Sequence, residues 1–286
     1  MSQTLKKIRA AGGAAIVRAL DALPQHLIVA ALKRRSLENR FQARGEIEMV
    51  GKMDYARHDI FLHVDSLVEH SVRLNSCKKE PDTIEWVESF LRDGDVLFDV
   101  GANVGAYSLV ASKCHGGKVR VYAFEPAFAN YVQLCKNILL NDCQHSVVPL
   151  PLALSDRTTV DTFNYRDLIP GSALHTFGEA VGDDGERFQP EFEQHVLSFR
   201  LDDLLRQFPV PAPNHLKIDV DGIEAKVLEG AAGTLAAPSM RSIIIELRED
   251  RNGQQITDFL ARSGFSLHSK HARWTAGLFN YIYSRG

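Results

Sequence analysis

A doubly wound, mostly parallel α/β sheet is the fold the sequence predicts, and three observations predict it. Short apolar runs alternate with helical patterns of 3.6-residue period from residue 96 onward, which is how right-handed βαβ units read. The first run, Val96-Leu97-Phe98-Asp99-Val100, passes through a glycine-bearing turn into a helix from about Val104, the place where an open α/β sheet keeps its ligand crevice. The last two runs, Phe265–Lys270 and Leu278–Tyr283, are joined by a turn and fit an antiparallel hairpin at one sheet edge.

In chain order, residues 1–44 read as a helical extension. Leu5, Ile8, Ala15, Ile16, Ala19, Leu20 and Leu23 fall near helical spacing, and Pro24 interrupts before Leu27, Ile28, Ala31 and Leu32 resume it. Residues 45–80 change to short alternating runs, such as Ile47 to Val50 and Ile60 to Val64, which predict one or two hairpins capping the rest. Residues 81–286 are the main domain. It opens with a helix to about Leu91 that Asp82 or Thr83 can cap. Further strands are expected at Val119–Phe124, Ser146–Leu150, His215–Val220 and Arg241–Leu247, with helices ending near Leu140 and spanning Ile223–Leu235. Regularity fails across residues 156–200, where Pro170-Gly171 and Gly182 to Gly185 mark loops. An insertion of that length is expected to be an irregular substrate loop.

Composition narrows the function classes. The 286 residues are 45% hydrophobic and 24% charged, enough to bury a full core. Lys and Arg total 33 against 36 Asp and Glu, a near-balance that excludes a whole-chain nucleic-acid binder. The balance hides a split. Residues 1–44 carry nine basic and two acidic residues, a net +7 that leaves −10 for the remainder. Cys77, Cys114, Cys135 and Cys143 are scattered without metal-ligand or CxxC spacing, as for thiols in a reducing compartment. The longest early apolar stretch, Leu27 to Leu32, is far short of the roughly 20 residues of a membrane span, and no signal peptide is evident. A cytoplasmic location is the expectation.

The strongest local signal is Asp99-Val100-Gly101-Ala102-Asn103-Val104-Gly105. Gly101 and Gly105 let a ligand approach the backbone, and Asn103 can cap the following helix. Glu125 closes the next strand, where a carboxylate can accept both hydroxyls of an adenosine ribose. The pattern is neither GxGxxG nor GxxxxGK[ST]. Asp99, two residues before the first glycine, would repel a pyrophosphate but suits the amino and sulfonium groups of S-adenosylmethionine. A plain strand–turn–helix corner is the alternative.

These residues, with Phe124-Glu125-Pro126, Asn137 to Asn141, Lys217-Ile218-Asp219-Val220-Asp221-Gly222-Ile223-Glu224 and Val227 to Ala231, make the chain resemble the FkbM family. Glu80-Pro81 with Trp86, Leu201 to Leu205 and Ile244-Ile245-Glu246 extend the likeness over about residues 80–250. The resemblance implies a Rossmann-like class I fold, S-adenosylmethionine as cofactor, and methyl transfer, usually to a hydroxyl oxygen of a sugar or polyketide-type metabolite. Cofactor contacts are then expected from Asp99, Gly101, Ala102, Asn103, Gly105, Glu125, Pro126, Ala153 and Asp219, with the turn Leu152 to Asp156 as the adenine wall.

An alcohol acceptor gains from a base that takes its proton. Asp219 and Asp221 flank Val220 and share a side, and Glu224 and Glu246 complete a group of four carboxylates expected at one crevice. Helix capping is the plain alternative for Asp221 and Glu224, and Lys217 can pair with one of the acids. Such a cluster also suits a divalent cation, but no ligand spacing supports one, so no metal is expected. His175, in the loop from Gly171, is a further base candidate. The catalytic set is thus Asp219, Asp221, Glu246 and His175. Asn137 and Asn141 can hold the chain near the cofactor, with C-capping as the alternative for Asn141.

The expected partner is a small-molecule or glycan acceptor, with no nucleic acid. N-methylation, a nicotinamide-dependent oxidoreductase and a non-catalytic scaffold on the same fold are the other readings. The +7 segment fits packing on an acidic neighbour, homo-oligomerisation or contact with an anionic membrane, beside a simple solvated basic face.

Overall fold

The computed structural model describes residues 25–46, 49–182 and 185–285. The chain divides after Met49 into two units. In the first, α1 (Gln25–Lys33) and α2 (Leu37–Glu46) follow Pro24 and carry the expected helical pattern; the part of that expectation covering residues 1–24 lies outside the described residues.

The second unit opens with β1 (Val50–Lys52) and β2 (Phe61–His63), paired antiparallel; β2 falls in the expected run Ile60–Val64, whereas the expected run Ile47–Val50 meets β1 only at Val50, residues 47–48 lying outside the described residues. A second hairpin does not follow. α3 (Leu67–Ser71), a 3₁₀ turn at Arg73–Asn75 and α4 (Ser76–Lys79) take its place, with Ser66 capping α3 by accepting the Glu69 N–H at 3.0 Å. α5 (Pro81–Phe90) has proline in its first turn, where no N–H is missed. Asp82 does not cap it; its carboxylate instead accepts from the Asn280 amide at 2.7 Å.

Then come β3 (Val96–Val100), α6 (Ala106–Cys114), β4 (Arg120–Phe124), α7 (Phe128–Leu140), β5 (Val147–Leu150), β6 (Ala153–Leu154), β7 (Thr159–Tyr165), β8 (Thr176–Phe177), β9 (Phe192–Phe199) and α8 (Leu201–Gln207). β10 (His215–Ile218), α9 (Glu224–Gly230), α10 (Ala232–Ala236), β11 (Ser242–Arg248), α11 (Arg251–Arg262), β12 (Ser266–Ala272) and β13 (Leu278–Ser284) complete the chain. The helix expected over 223–235 is two, broken at Ala231.

The main sheet runs β12-β13-β11-β10-β3-β4-β5. Five strands are parallel, and β13 inserts antiparallel between β11 and β12 as the closing hairpin predicts. Alternate residues of the parallel strands feed two cores: Leu97, Val121 and Ile244 pack with Trp86 and Leu109, whereas Phe98, Phe124, Ile218 and Ile245 pack with Val227 and Leu260. Burial on both faces is why these strands read as continuous apolar runs. Chain order reverses between β3 and β10, so their carboxyl ends open a crevice there.

The stretch expected to be irregular is more ordered than its composition indicates. β6, β9, β7 and β8 form a second, four-stranded sheet, with β7 and β9 antiparallel from Thr159–Ser198 to Tyr165–Phe192. The β-branched and aromatic residues of Thr159–Tyr165 carry that signal, but the glycine- and proline-marked loops beside them obscure it. Among the described residues no helix is long and apolar enough to cross a membrane.

Asn137 and Asn141 act away from the crevice. Asn137 accepts the His63 N–H at 2.8 Å and donates to the Val104 carbonyl at 2.9 Å; Asn141 accepts the Phe61 N–H at 2.9 Å and donates back to the Phe61 carbonyl at 2.6 Å. Asn137 on α7 and Asn141 at its C-terminal end thereby clamp β2 onto the main sheet's helical layer. Asn137→Ala strands a buried N–H and a carbonyl, so urea denaturation is expected to show a loss of about 2–4 kcal/mol.

Candidate active site

The β3–α6 turn is built by close backbone approach. Gly101 has φ +82°, and a Cβ there would lie 1.9 Å from the Asp219 carbonyl oxygen, so only glycine fits. The Gly101 and Ala102 N–H groups both donate to the Phe124 carbonyl at 3.0 Å, and the Asp219 N–H donates to Val100 at 3.0 Å. The ends of β3, β4 and β10 are thus tied to one another. Asn103 takes a left-handed φ of +50°, which asparagine tolerates. It does not cap a helix from Val104 as expected: α6 starts at Ala106 after Gly105 at φ +88°, and the Asn103 Oδ1 accepts the adjacent Val104 N–H at 3.0 Å.

Glu125, at the end of β4, is 5% exposed. Its Oε2 accepts the Asn103 N–H at 2.7 Å and its Oε1 the Ala127 N–H at 2.9 Å, which fixes the carboxylate in place. Burial pushes it up to about 7 even against these two bonds. It faces a cavity of about 320 Å³ whose other walls include Val100, Gly101, Asn103, Pro126 and an apolar side of Phe124, Leu152, Ala153, Leu154 and Phe163.

On the β10 side lies a buried ion cluster. The Lys217 Nζ stands 3.2 Å from Asp219 Oδ2 and 3.5 Å from Asp99 Oδ1, and 5.0 Å from the centre of the Tyr107 ring. Burial alone would push the ammonium down, but Asp219, Asp99 and Glu80 override it and hold Lys217 above the usual lysine range. Burial would likewise push Asp219 up, yet Lys217, with Lys79 and Arg273, brings it down to about 2. Next along the sheet, Glu246 Oε2 accepts from Arg273 Nε at 2.7 Å, while the same guanidinium donates to Glu80 at 2.7 Å and to the Lys79 carbonyl at 3.0 Å. Burial, and then the charge of Asp219, raise Glu246 to about 7.

A loop from the insertion covers this cavity. The Ser172 carbonyl accepts from Asn103 Nδ2 at 2.8 Å and Asn130 Nδ2 at 3.0 Å. The Gly171 carbonyl accepts two bonds from the Arg73 guanidinium, and the Leu174 N–H donates to Asp221 Oδ2 at 2.6 Å. His175 is buried under it, and its Nδ1 accepts the Arg166 N–H at 3.3 Å. Burial lowers its pKa from the ordinary histidine value. A second cleft of about 710 Å³ adjoins the first; Phe177, Val220, Asp221, Ile223, Glu246 and Leu278 line both.

Comparison with known proteins assigns the chain to a family. The methyltransferase FkbM domain matches residues 99–267. The chain belongs to the FkbM methyltransferase family. It is 27% identical to the hexuronic acid methyltransferase AglP of Haloferax volcanii over 199 residues, covering 70% of this chain and 75% of that one. It is 30% identical to methyltransferase sdnD of Sordaria araneosa, over 66% of this chain and 80% of the relative. With the 31-O-demethyl-FK506 methyltransferase FkbM of Streptomyces tacrolimicus it shares 29% identity, over 65% of this chain and 84% of the other.

The protein is therefore a methyltransferase, and the oxidoreductase alternative drawn from the shared fold falls away. In this FkbM-family site the structure brings Gly101, Asn103, Glu125, Pro126, Ala153, Asp219, Asp221, Glu246 and His175 to one cavity. Asp99, Ala102 and Gly105 stand behind its wall. Asp99 is fully buried, its Oδ2 accepting from Ser108 at 2.6 Å and its Oδ1 facing Lys217. Ala102 packs in the core, and Gly105 leaves room for Leu134, which would lie 2.5 Å from a Cβ. Glu224, raised to about 8 by burial, lines only the adjoining cleft. Among the described residues no set of three or more His, Cys, Asp or Glu side chains is placed to hold a metal ion.

Sequence reasoning missed Arg73, Lys79, Asn130, Arg273 and Trp274, all of which line the cavity. They come from the cap, from α7 and from the β12–β13 turn, so no local spacing joins them to the glycine motif. Arg273→Met would leave the buried Glu80 carboxylate without its guanidinium, and denaturation is expected to show a loss of about 3–5 kcal/mol.

Proposed function

We propose that this methyltransferase uses S-adenosylmethionine and methylates a hydroxyl oxygen of a sugar, glycan or secondary metabolite. The observation that carries the reading is Glu125: a buried carboxylate, held by two backbone N–H groups, that faces a cavity with an apolar wall on one side and Asp219 on the other. Those residues fit the cofactor's parts. Glu125 retains lone pairs for the ribose hydroxyls, Leu152, Ala153 and Leu154 offer an apolar wall for adenine, and Asp219, ionised at any working pH, suits the cationic end. When bound, the cofactor supplies a methyl group made electrophilic by its sulfonium. Two relatives are named for a hexuronic acid and for a 31-O-demethyl compound, which favours oxygen as the acceptor atom.

The chain's own residues divide the remaining work. Glu246 lines both the cavity and the adjoining cleft, and at about 7 it can take a hydroxyl proton near neutral pH. Asp219 is too acidic for that task and serves as a fixed charge. Asp221 tethers the covering loop through Leu174. His175 already has Nδ1 engaged by a backbone N–H, so it forms part of the wall. With Ser172 bonded to Asn103 and Asn130, the loop keeps water from the crevice and helps fix the geometry of transfer.

Calorimetry is expected to detect S-adenosylmethionine and S-adenosylhomocysteine, with affinity for both falling at least about tenfold in Glu125→Ala; no binding to the unaltered protein sinks the reading. Transfer of labelled methyl into glycan and metabolite extracts identifies the product class.

A protonated Glu246 cannot act as base, so kcat is expected to rise as pH increases through about 7. In Glu246→Gln kcat should drop about 100-fold and lose that pH step. A step that survives in this variant assigns the proton to another group.

A further inference from the structure

The chain has two tryptophans. Trp86 is fully buried, its Nε1 donating to Ser242, whereas Trp274 is 85% exposed. An indole gains more from burial than almost any other side chain, so one held out in water at a cavity mouth needs a reason. Its turn is firmly braced. The Arg273 N–H donates to Leu278 at 2.9 Å, the Leu278 N–H to Thr275 at 3.1 Å and the Glu249 N–H to Gly277 at 2.8 Å, while the Arg273 guanidinium is locked between Glu246 and Glu80. The ring is carried on a fixed arm.

Its position separates it from the ribose end of the cavity. Strand order places Asp219 just beyond β10, Glu246 on β11 and then the β12–β13 turn at successively greater distance from Glu125 just beyond β4. A cofactor held at Glu125 leaves this end to the acceptor. Arg273, Thr275, Glu246 and Asp219 line the same cavity as the indole, with Leu278 as an apolar neighbour. An aliphatic macrocycle would call for a continuous apolar surface. A saccharide ring has apolar C–H faces and a rim of hydroxyls, and so needs an aromatic plane beside hydrogen-bond acceptors.

We propose that Trp274 is the stacking platform for the acceptor, and that the acceptor presents a saccharide ring, its C–H face on the indole and one hydroxyl turned to Glu246. This rests on the reading of the cavity given above, and its tests are separable from that reading. Trp274 is the exposed one of the two indoles, so its emission can be followed in the full chain. The protein is first saturated with S-adenosylhomocysteine, checked by calorimetry, then titrated with methyl β-D-glucopyranoside and methyl β-D-glucuronide. At least one glycoside is expected to shift the emission to shorter wavelength and reduce acrylamide quenching. Saturation-transfer NMR should show that glycoside bound to the unaltered protein and to Trp274→Phe, and about five- to tenfold weaker in Trp274→Ala. The S-adenosylhomocysteine affinity should stay within about twofold in both variants, as it must for a residue that serves the acceptor. Three results overturn the proposal: no response to either glycoside, equal glycoside binding in Trp274→Ala, or full protection of the indole by S-adenosylhomocysteine alone. If S-adenosylhomocysteine fails to bind at all, the cofactor reading is lost, and the same glycoside titration of the free protein still decides the role of Trp274.

Discussion

The site depends on one buried cation. Lys217 stands directly opposite Asp99 in the β3–β10 register, at the point where chain order reverses, and its ammonium lies between Asp99 and Asp219. An isolated ammonium or carboxylate at this depth would be untenable, and a buried pair is tolerated only when both charges are present with good geometry. The cluster therefore makes the two strand ends mutually dependent. The glycine turn enforces the same closeness by other means, since Gly101 leaves no space for a Cβ against the Asp219 backbone. Charge and shape both bring β3 and β10 together, and the crevice opens where they part.

From that fixed centre the rest is assembled by hydrogen bonds across long sequence separations. Asn103 and Asn130 both reach the Ser172 carbonyl, and Arg73 reaches Gly171, so cap, glycine turn and α7 share the task of holding one loop. Ser66, which caps α3, also donates to the Pro170 carbonyl at 2.6 Å. The cap segment therefore helps hold the loop over the cavity, and Asn137 and Asn141 in turn clamp the cap.

What was legible in the sequence follows the same divide between local and distant contacts. The strands, the glycine turn, Glu125 and the carboxylates of 219–246 all sit at the carboxyl ends of apolar runs, where spacing along the chain fixes position in the sheet. The sequence puts the start of α6 near Val104, two residues early, because Asn103, a good cap by type, takes a left-handed turn with contacts to Glu125 and Ser172. The motif puts Asp99 among the expected cofactor contacts, whereas its carboxylate meets Ser108 and Lys217 behind the cavity wall. Arg273 and Trp274 could not be read at all. Their place in the site depends on β13 inserting between β11 and β12, and nothing in a hairpin's own sequence says which strand it will join.

The carboxylates around the cavity show how little residue type alone decides. Asp219 and Glu246 lie on neighbouring strands, yet one is held at about 2 and the other raised to about 7. Lys217 lies beside Asp219 and brings it down, whereas burial and then the charge of Asp219 raise Glu246, which shares its own cation with Glu80. An ionised Asp219 places a negative charge in the crevice and adds to the rise that burial gives its neighbour Glu246. Glu125, farther along the sheet, reaches a similar value by burial, but both its oxygens are held by backbone N–H groups, which suits it to receive hydroxyls rather than to move protons. What sets these chemically similar acids apart is how far each is buried and which cation or backbone N–H groups it meets there.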